Sequence, residues 1–270
     1  MLKEVLKKAQ ENKYAIGQFN FSTLDQLRGI LAGAKNLQAP IILGTSEGEL
    51  NYIGLEEVVA LVEISKNKSA SWRRGSAPIF LNLDHGRDLN LIKKCVDYGF
   101  SAVHFDGSDL PLEKNTEYAK KIVRYAHKKG VLVEGEIESI GQEGQVSLED
   151  IEKFVKETGV DSIAPSVGNI HGMHKKVKLD LKRLKEVSKI NSFIVLHGGS
   201  GISRLQIKKA IKLGVVKINI NTEIRLIWKQ NFLKALKKKE IKPYKIISVV
   251  EKAIQKKVEE KIKLFGGNKK

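Results

Sequence analysis

Along this chain, short apolar runs alternate with longer stretches in which apolar residues recur every three or four positions. The opening residues, Met1-Leu2-Lys3-Glu4-Val5-Leu6-Lys7-Lys8, place Leu2, Val5 and Leu6 on one helical face. No apolar run or small-residue cleavage site follows, so this start reads as an amphipathic helix and not a signal peptide. From there the pattern predicts strands over 15–20, 40–46, 78–85, 102–107, 131–138, 162–168, 193–199 and 217–221. Helices are predicted over 24–37, 55–66, 89–98, 112–129, 148–158, 179–190, 204–213, 222–239 and 244–265, with a polar surface connection over 68–77. Strands alternating with helices of this length imply parallel pairing through crossover helices. The strand cores, such as Ile79-Phe80-Leu81 and Phe193-Ile194-Val195-Leu196, are apolar at nearly every position, as expected when both sheet faces are covered. Eight such units also suit an open doubly wound sheet, but no G-x-G-x-x-G loop follows the first strand. The prediction is therefore an α/β fold: one (β/α)₈ barrel domain over 1–270, with an N-terminal helix and an extra C-terminal helix.

In such a barrel the chemistry sits at the C-terminal ends of the strands. Here those ends carry Asn82-Leu83-Asp84-His85-Gly86, His104-Phe105-Asp106-Gly107, Glu134-Gly135-Glu136, Gly168-Asn169-Ile170-His171-Gly172, His197-Gly198-Gly199-Ser200-Gly201 and Asn219-Ile220-Asn221-Thr222. Three histidines, His85, His171 and His197, thus converge on one rim with carboxylates beside them. Neutral imidazoles are the commonest zinc ligands, and three of them leave a position open for substrate. Cobalt and iron suit the same donors. Neighbours on a strand point to opposite faces, so Asp84 and His85 share one site only if the strand bends, which Gly86 would permit. His104 fits either core or rim. The glycine loop 198–201, ahead of a helix start, suits phosphate.

Charge changes this picture little. The net charge of +17 admits polyanion binding or steering of phosphorylated substrates. Yet the lysines are spread over helix faces, and no aromatic-interleaved basic strand suggests nucleic acid. No stretch is long and apolar enough for a membrane span. The single cysteine, Cys95, excludes an intrachain disulfide and fits a reducing cytoplasm.

The ordered motifs Leu83-Asp84-His85-Gly86, Gly168-Asn169-Ile170-His171-Gly172, His197-Gly198-Gly199-Ser200-Gly201 and Lys217-Ile218-Asn219-Ile220-Asn221-Thr222 resemble the class II fructose-bisphosphate aldolases and their tagatose-bisphosphate relatives. The resemblance starts at Tyr14-Ala15-Ile16-Gly17-Gln18-Phe19-Asn20 and runs to the last helix. It implies catalytic zinc on His85, His171 and His197, and a second divalent metal, or an alternative zinc position, at Asp106 and Glu136. Asp84 would move the proton of the C4 hydroxyl, and Glu143 would exchange a proton with the triose phosphate. Gly172, Gly198, Gly199, Ser200, Asn219 and Thr222 would bind that phosphate, with a monovalent cation near it. Asn20 and Ser46 would line the pocket, Asn221 would meet a sugar hydroxyl, and Arg225 would reach the far phosphate. A homodimer or homotetramer in the cytoplasm is implied as well.

Some positions depart from the family pattern. Gly144 stands where a second loop carboxylate is common, and Lys242-Pro243-Tyr244-Lys245 replaces an Asp-Pro-Arg segment, leaving any phosphate contact there to Lys245. His174, after the ligand loop, reads as outer or solvated, and His127 as surface. Lys217, at the start of the last strand, lies at the wrong end for a Schiff base. Fructose 1,6-bisphosphate is the favoured substrate, because Asn221 offers a hydrogen bond where tagatose enzymes often have Ala. The alternatives are tagatose bisphosphate, a phosphorylated deoxyketo sugar acid, or a basic barrel that binds nucleic acid without catalysis.

Overall fold

The computed structural model describes residues 1–70, 77–138, 140, 146–172 and 177–268, with only the backbone considered at 67–70. Helix α1 (Leu2–Glu11) comes first. Eight strands follow: β1 (Ile16–Asn20), β2 (Ile41–Ser46), β3 (Ile79–Gly86), β4 (Ala102–Asp106), β5 (Leu132–Glu136), β6 (Ser162–Ile163), β7 (Phe193–Leu196) and β8 (Val215–Ile220). They are parallel and form a closed barrel in sequence order, with β1 returning to β8 through Gln18↔Asn219. The intervening helices are α2 (Leu24–Leu37), α3 (Glu47–Ile53), α4 (Leu55–Ala70), α5 (Leu89–Asp97), α6 (Leu112–His127), α7 (Leu148–Thr158), α8 (Leu181–Val187), α9 (Arg204–Lys212), α10 (Thr222–Leu236) and α11 (Pro243–Phe265).

Two apolar clusters hold this together. The larger lies between the strands and the surrounding helices and includes Phe19, Phe105, Phe154 and Phe265, each almost fully buried. The smaller joins Leu2, Leu6 and Ala9 of α1 to Ile16, Ile42 and Val216. These last residues stand at the start of their strands, so α1 stoppers the N-terminal end of the barrel. Full burial of a leucine contributes about 1.5–3 kcal/mol, which explains why an opening helix rich in lysine stays docked.

Three features differ from the sequence prediction. Helix α3 was not anticipated; Ser46 starts it with a capping box, its hydroxyl accepting Glu49 N–H while the Glu49 carboxylate accepts Ser46 N–H. Strand β6 has two residues rather than the seven predicted. Beyond it Pro165 has no N–H, Ser166 N–H goes to Glu138 Oε1 at 2.9 Å, and Val167 N–H goes to Asn169 Oδ1 at 2.8 Å. The backbone there is satisfied by side chains instead of a ladder. The connection predicted over 68–77 is helical up to Ala70, and 71–76 lie outside the described residues.

Candidate active site

Inward-facing polar side chains fill the upper barrel. Asn82 Nδ2 donates to Gln18 Oε1 at 2.8 Å, and Gln18 Nε2 donates to Asn20 Oδ1 at 3.3 Å. Above them Asp84 receives two amides, from Asn20 Nδ2 and Asn219 Nδ2, each at 2.9 Å. Asp84 is 5 % exposed. Burial pushes its carboxyl upward, but His85, His197, Lys217 and His104 outweigh that and hold it well below the usual range. It is a buried, ionised carboxylate at neutral pH.

Asp84 and His85 do reach one site, though the bend is at His85 and not at Gly86. His85 has φ 51, in the left-handed region, and the β3–β4 register shifts between Leu83 and Gly86. Such a conformation costs a non-glycine residue about 1–3 kcal/mol. Two contacts hold it: His85 N–H donates to His104 Nδ1 at 3.1 Å, and His85 Nδ1 meets Asp106 Oδ2 at 3.0 Å. Gly86 answers a packing need, since a Cβ there would lie 2.6 Å from Leu83 and 2.9 Å from the His104 carbonyl.

The three predicted histidines come together. Ring centroids are 4.8 Å apart for His85–His197, 5.0 Å for His85–His171 and 5.9 Å for His171–His197. His85 Nε2 faces His197 Nδ1 at 3.0 Å. His197 Nε2 meets Glu134 Oε1 at 2.7 Å, and Lys217 Nζ donates to Glu134 Oε2 at 2.7 Å. A carboxylate partner makes Nε2 the protonated nitrogen of His197 and leaves Nδ1 as its lone-pair donor toward the rim. Burial drives His197 down to about 3 against the opposing pull of Glu134, so it stays neutral. Burial also lowers His85, but the Asp106 hydrogen bond and the charges of Asp84 and Glu136 raise it to about 9. His171 is lowered by burial and by His85.

Lys217 stands closer to the site than its place near the start of the last strand suggested. It is the third residue of β8, 4 % exposed, and it points into the barrel beneath the histidines. It is no Schiff-base candidate, because it is committed to Glu134, yet it belongs to the structure of the site. Glu134 was not singled out from the sequence; its alternation with Glu136 on β5, both buried, was the available signal. Burial raises Glu134, but Lys217, His104 and His197 keep it well below the ordinary carboxylate range. His104 is fully buried, with Nδ1 accepting the His85 N–H, and its ring also joins the histidine cluster, 4.7 Å from that of His85 and 5.0 Å from that of His197.

Asp106 and Glu136 flank His85. Asp106 Oδ2 also receives Arg87 Nη2 at 3.0 Å and Nε at 3.3 Å, while Ser108 Oγ donates to Asp106 Oδ1 at 2.6 Å. Glu136 Oε2 lies 3.8 Å from His85 Nδ1 and 3.4 Å from His104 Nε2, and burial raises its carboxyl. A cavity of about 530 Å³ opens over this corner, lined by His85, Arg87, Asp106, Glu136 and His171 among others.

Other predicted residues stand at the end of β2 and in the segments that follow β6, β7 and β8. Gly198 has φ 67, and a Cβ there would fall 2.4 Å from the Ile170 carbonyl; one at Gly199 would meet Ile218 at 2.6 Å. Gly172 also has positive φ, 103. The stretch Gly199–Gly201 is itself a 3₁₀ turn, and Ser203 caps α9 separately, so the glycine loop does not run straight into that helix. Ser200 Oγ accepts Glu223 N–H at 3.2 Å, which ties the loop to the first turn of α10, where Thr222 stands. Asn221 Nδ2 reaches Glu49 Oε1 at 3.5 Å, and Arg225 donates to that oxygen at 2.7 Å. Glu49 is a site residue the sequence reading missed; the Ser46-x-x-Glu49 capping box was its signal. Ser46 itself caps α3. Lys245 pairs with Glu240 at 3.4 Å, and His127 with Asp161 at 2.8 Å on the surface. Glu143, Gly144 and His174 lie outside the described residues.

The donors suit a divalent metal. Asp84, His85, His104 and His197 place ligand atoms within 4.8 Å of one another, as do His85, Asp106 and Glu136; His171, expected as the third zinc ligand, is in neither group, although its ring lies 5.0 Å from that of His85. Two imidazole nitrogens facing each other at 3.0 Å need a cation or a shared proton between them. Among the described residues, the buried Glu136 Oε2, Asn219 Oδ1 and Asn221 Oδ1 have no hydrogen-bond partner and remain as acceptors.

A closed parallel barrel with this rim agrees with comparison to known proteins. The chain matches the model of the class-II fructose-bisphosphate aldolase family over residues 1–270 and belongs to that family. It is 38% identical over 275 residues to 6-phospho-5-dehydro-2-deoxy-D-gluconate aldolase of Shouchella clausii, covering 97% of this chain and 92% of that one. It is 37% identical over 279 residues to fructose-bisphosphate aldolase of Staphylococcus aureus, covering 98% and 96%. The crystal structure of the YdjI aldolase from Escherichia coli K12 superposes with a TM-score of 0.88 at 28% identity, covering 100% of this chain and 98% of that one. The chain is thus an aldolase of a metal-dependent family. No helix among the described residues is long and apolar enough to cross a membrane.

Proposed function

We propose that this chain catalyses reversible cleavage of fructose 1,6-bisphosphate to dihydroxyacetone phosphate and glyceraldehyde 3-phosphate, with zinc held by His85, His171 and His197. The observation that carries this reading is Asp84: a buried, ionised carboxylate fixed by Asn20 and Asn219 beside His85 and His197. Zinc at the histidines would polarise the substrate carbonyl and offset negative charge developing on its oxygen.

The chain's own residues do the rest. Asp84 takes the proton of the C4 hydroxyl, the C3–C4 bond breaks, and its electron pair passes toward the C2 carbonyl while the aldehyde leaves. Glu143 returns a proton to C3, and condensation runs the steps backward. The positive-φ backbone at Gly172 and Gly198, the close-packed Gly199 and the start of α10 at Thr222 supply N–H groups for the triose phosphate, with Ser200 beside them and a monovalent cation nearby. Arg225 takes the far phosphate. Glu134 fixes the tautomer of His197, and Lys217 fixes Glu134. Asp106 and Glu136 offer a second divalent position.

Asn221 supports the choice of sugar, because its unpartnered Oδ1 can accept from a substrate hydroxyl. A glycolytic role in the cytoplasm follows from that choice. Assembly as a homodimer or homotetramer is supported by exposed Leu226, Leu233 and Leu236 on α10 and by Ile241 and Tyr244. The gluconate-derived activity named for the Shouchella relative is the second reading, favoured by its 38% identity. Steady-state rates with fructose 1,6-bisphosphate, tagatose 1,6-bisphosphate and 6-phospho-5-dehydro-2-deoxy-D-gluconate test this. Fructose bisphosphate should give the highest kcat/KM, and a higher value for either competitor overturns the assignment.

A further inference from the structure

The opposite end of the barrel carries a second concavity. A cleft of about 950 Å³ opens where the strands begin, lined by the residues that precede β1, β2, β3 and β8 and by the end of α11. That volume is within the range of small-molecule sites, about 300–1,000 Å³. Its apolar lining includes Tyr14, Pro40, Ile211 and Phe265. Five lysines surround it: Lys8, Lys13, Lys208, Lys212 and Lys263, all exposed, and no Asp or Glu is among the lining residues.

Helix C-termini attract lysine, and α1, α9 and α11 all end here. Each such terminus carries about half an elementary negative charge, so three of them leave most of five ammonium charges uncompensated. Elsewhere some surface lysines meet carboxylates, as in Lys120–Glu157, Lys121–Glu117 and Lys129–Asp97, and others stand singly; these five are set apart by lining one cleft. None of the five has an ion-pair partner among the described residues. Of the acids on α1, Glu4 is paired with the chain's N-terminus, and neither it nor Glu11 lines the cleft. Uncompensated cations around an apolar floor fit a ligand with an apolar ring and several phosphates.

We propose that this cleft binds a nucleoside polyphosphate, its base on the apolar floor and its phosphates among the lysines. The site is separate from the histidine rim and does not depend on which sugar the aldolase cleaves. Isothermal titration of the full chain with ATP, inorganic tripolyphosphate and adenosine tests it, alongside a Lys13→Gln/Lys212→Gln/Lys263→Gln variant. A Lys237→Gln/Lys238→Gln/Lys239→Gln variant, altered at exposed lysines after α10, is the control for bulk charge. ATP should bind at one site per chain, more tightly than tripolyphosphate or adenosine. The cleft variant should weaken it by about tenfold, as lost phosphate contacts of exposed ammonium groups predict, and the control should leave it unchanged. Absence of saturable ATP binding, an equal loss in the control, tripolyphosphate binding as tightly as ATP, or displacement of ATP by fructose 1,6-bisphosphate would each overturn the proposal.

Discussion

Replacing Lys217 with methionine strips one charge from beneath the histidines while keeping most of the side-chain volume. Lys217 is 4 % and Glu134 2 % exposed, so no water takes the place of the lost ammonium group. Breaking one partner out of a buried ion pair costs about 3–5 kcal/mol, because the other charge stays behind unpaired. Glu134 keeps its contact with His197 Nε2 at 2.7 Å, which places the expected loss at the lower end, about 3 kcal/mol. With a urea slope of about 3 kcal/mol per M, the unfolding midpoint should fall by about 1 M. Glu134→Gln added to Lys217→Met removes the stranded charge and should restore at least about 1 kcal/mol, a coupling that a double-mutant cycle reads directly. The pH dependence carries the same signature. Glu134 is held below its ordinary range, so its contribution is present above the unfolded carboxyl pKa and is lost as pH falls through the folded one. Lys217→Met should therefore shrink that acid-side loss. Equilibrium unfolding in urea, in the presence of a chelator and at several pH values, measures all of this. A midpoint within about 0.2 M of the parent, with no coupling to Glu134, would refute the buried-pair account.

Other residues give independent tests. Asp84→Asn should keep its bound metal, measured by elemental analysis, and lose about 10²–10⁴ in kcat, the usual worth of a positioned base; a near-normal rate would remove Asp84 from its role. Arg87→Ala frees Asp106 Oδ2 from a guanidinium at 3.0 Å, so the variant should take up more divalent metal per chain than the parent at equal free zinc. Cys95 is fully buried, and burial, aided by the Glu47 charge, pushes its thiol up to about 12. The native thiol should resist an aromatic disulfide reagent at pH 8. Above the unfolded thiol pKa near 8.5, only the unfolded chain ionises, so stability should fall by up to about 1.4 kcal/mol per pH unit, and Cys95→Ala should lack that slope.

What the sequence disclosed follows from what each feature requires. The barrel was legible because β and α periods alternate eight times and strand cores such as Ile79-Phe80-Leu81 and Phe193-Ile194-Val195-Leu196 are apolar on both faces. The rim was legible because histidines and carboxylates at strand ends have no structural reason to recur. Local backbone was less visible. The bend at His85 depends on the ring of His104 reaching back from β4, a contact no neighbour in sequence announces. The two-residue β6 depends on Glu138 and Asn169 taking backbone N–H groups that a ladder would otherwise use. Glu134 and Lys217 sit 83 residues apart and meet only because the closed sheet folds both inward, so their pairing was beyond any local reading. Helix α3 was within reach, since Ser46 and Glu49 spell a capping box, but seven residues show too little periodicity to be noticed otherwise.

Metal-assisted cleavage at the rim formed by Asp84, His85, His171 and His197 is the central proposal. The most direct measurement is the rate of triose phosphate release from fructose 1,6-bisphosphate by the zinc-loaded chain, by the same chain after chelation, and after zinc is restored. Activity should fall to background on chelation and return with zinc. Cleavage that continues undiminished after the metal is removed would contradict the proposal.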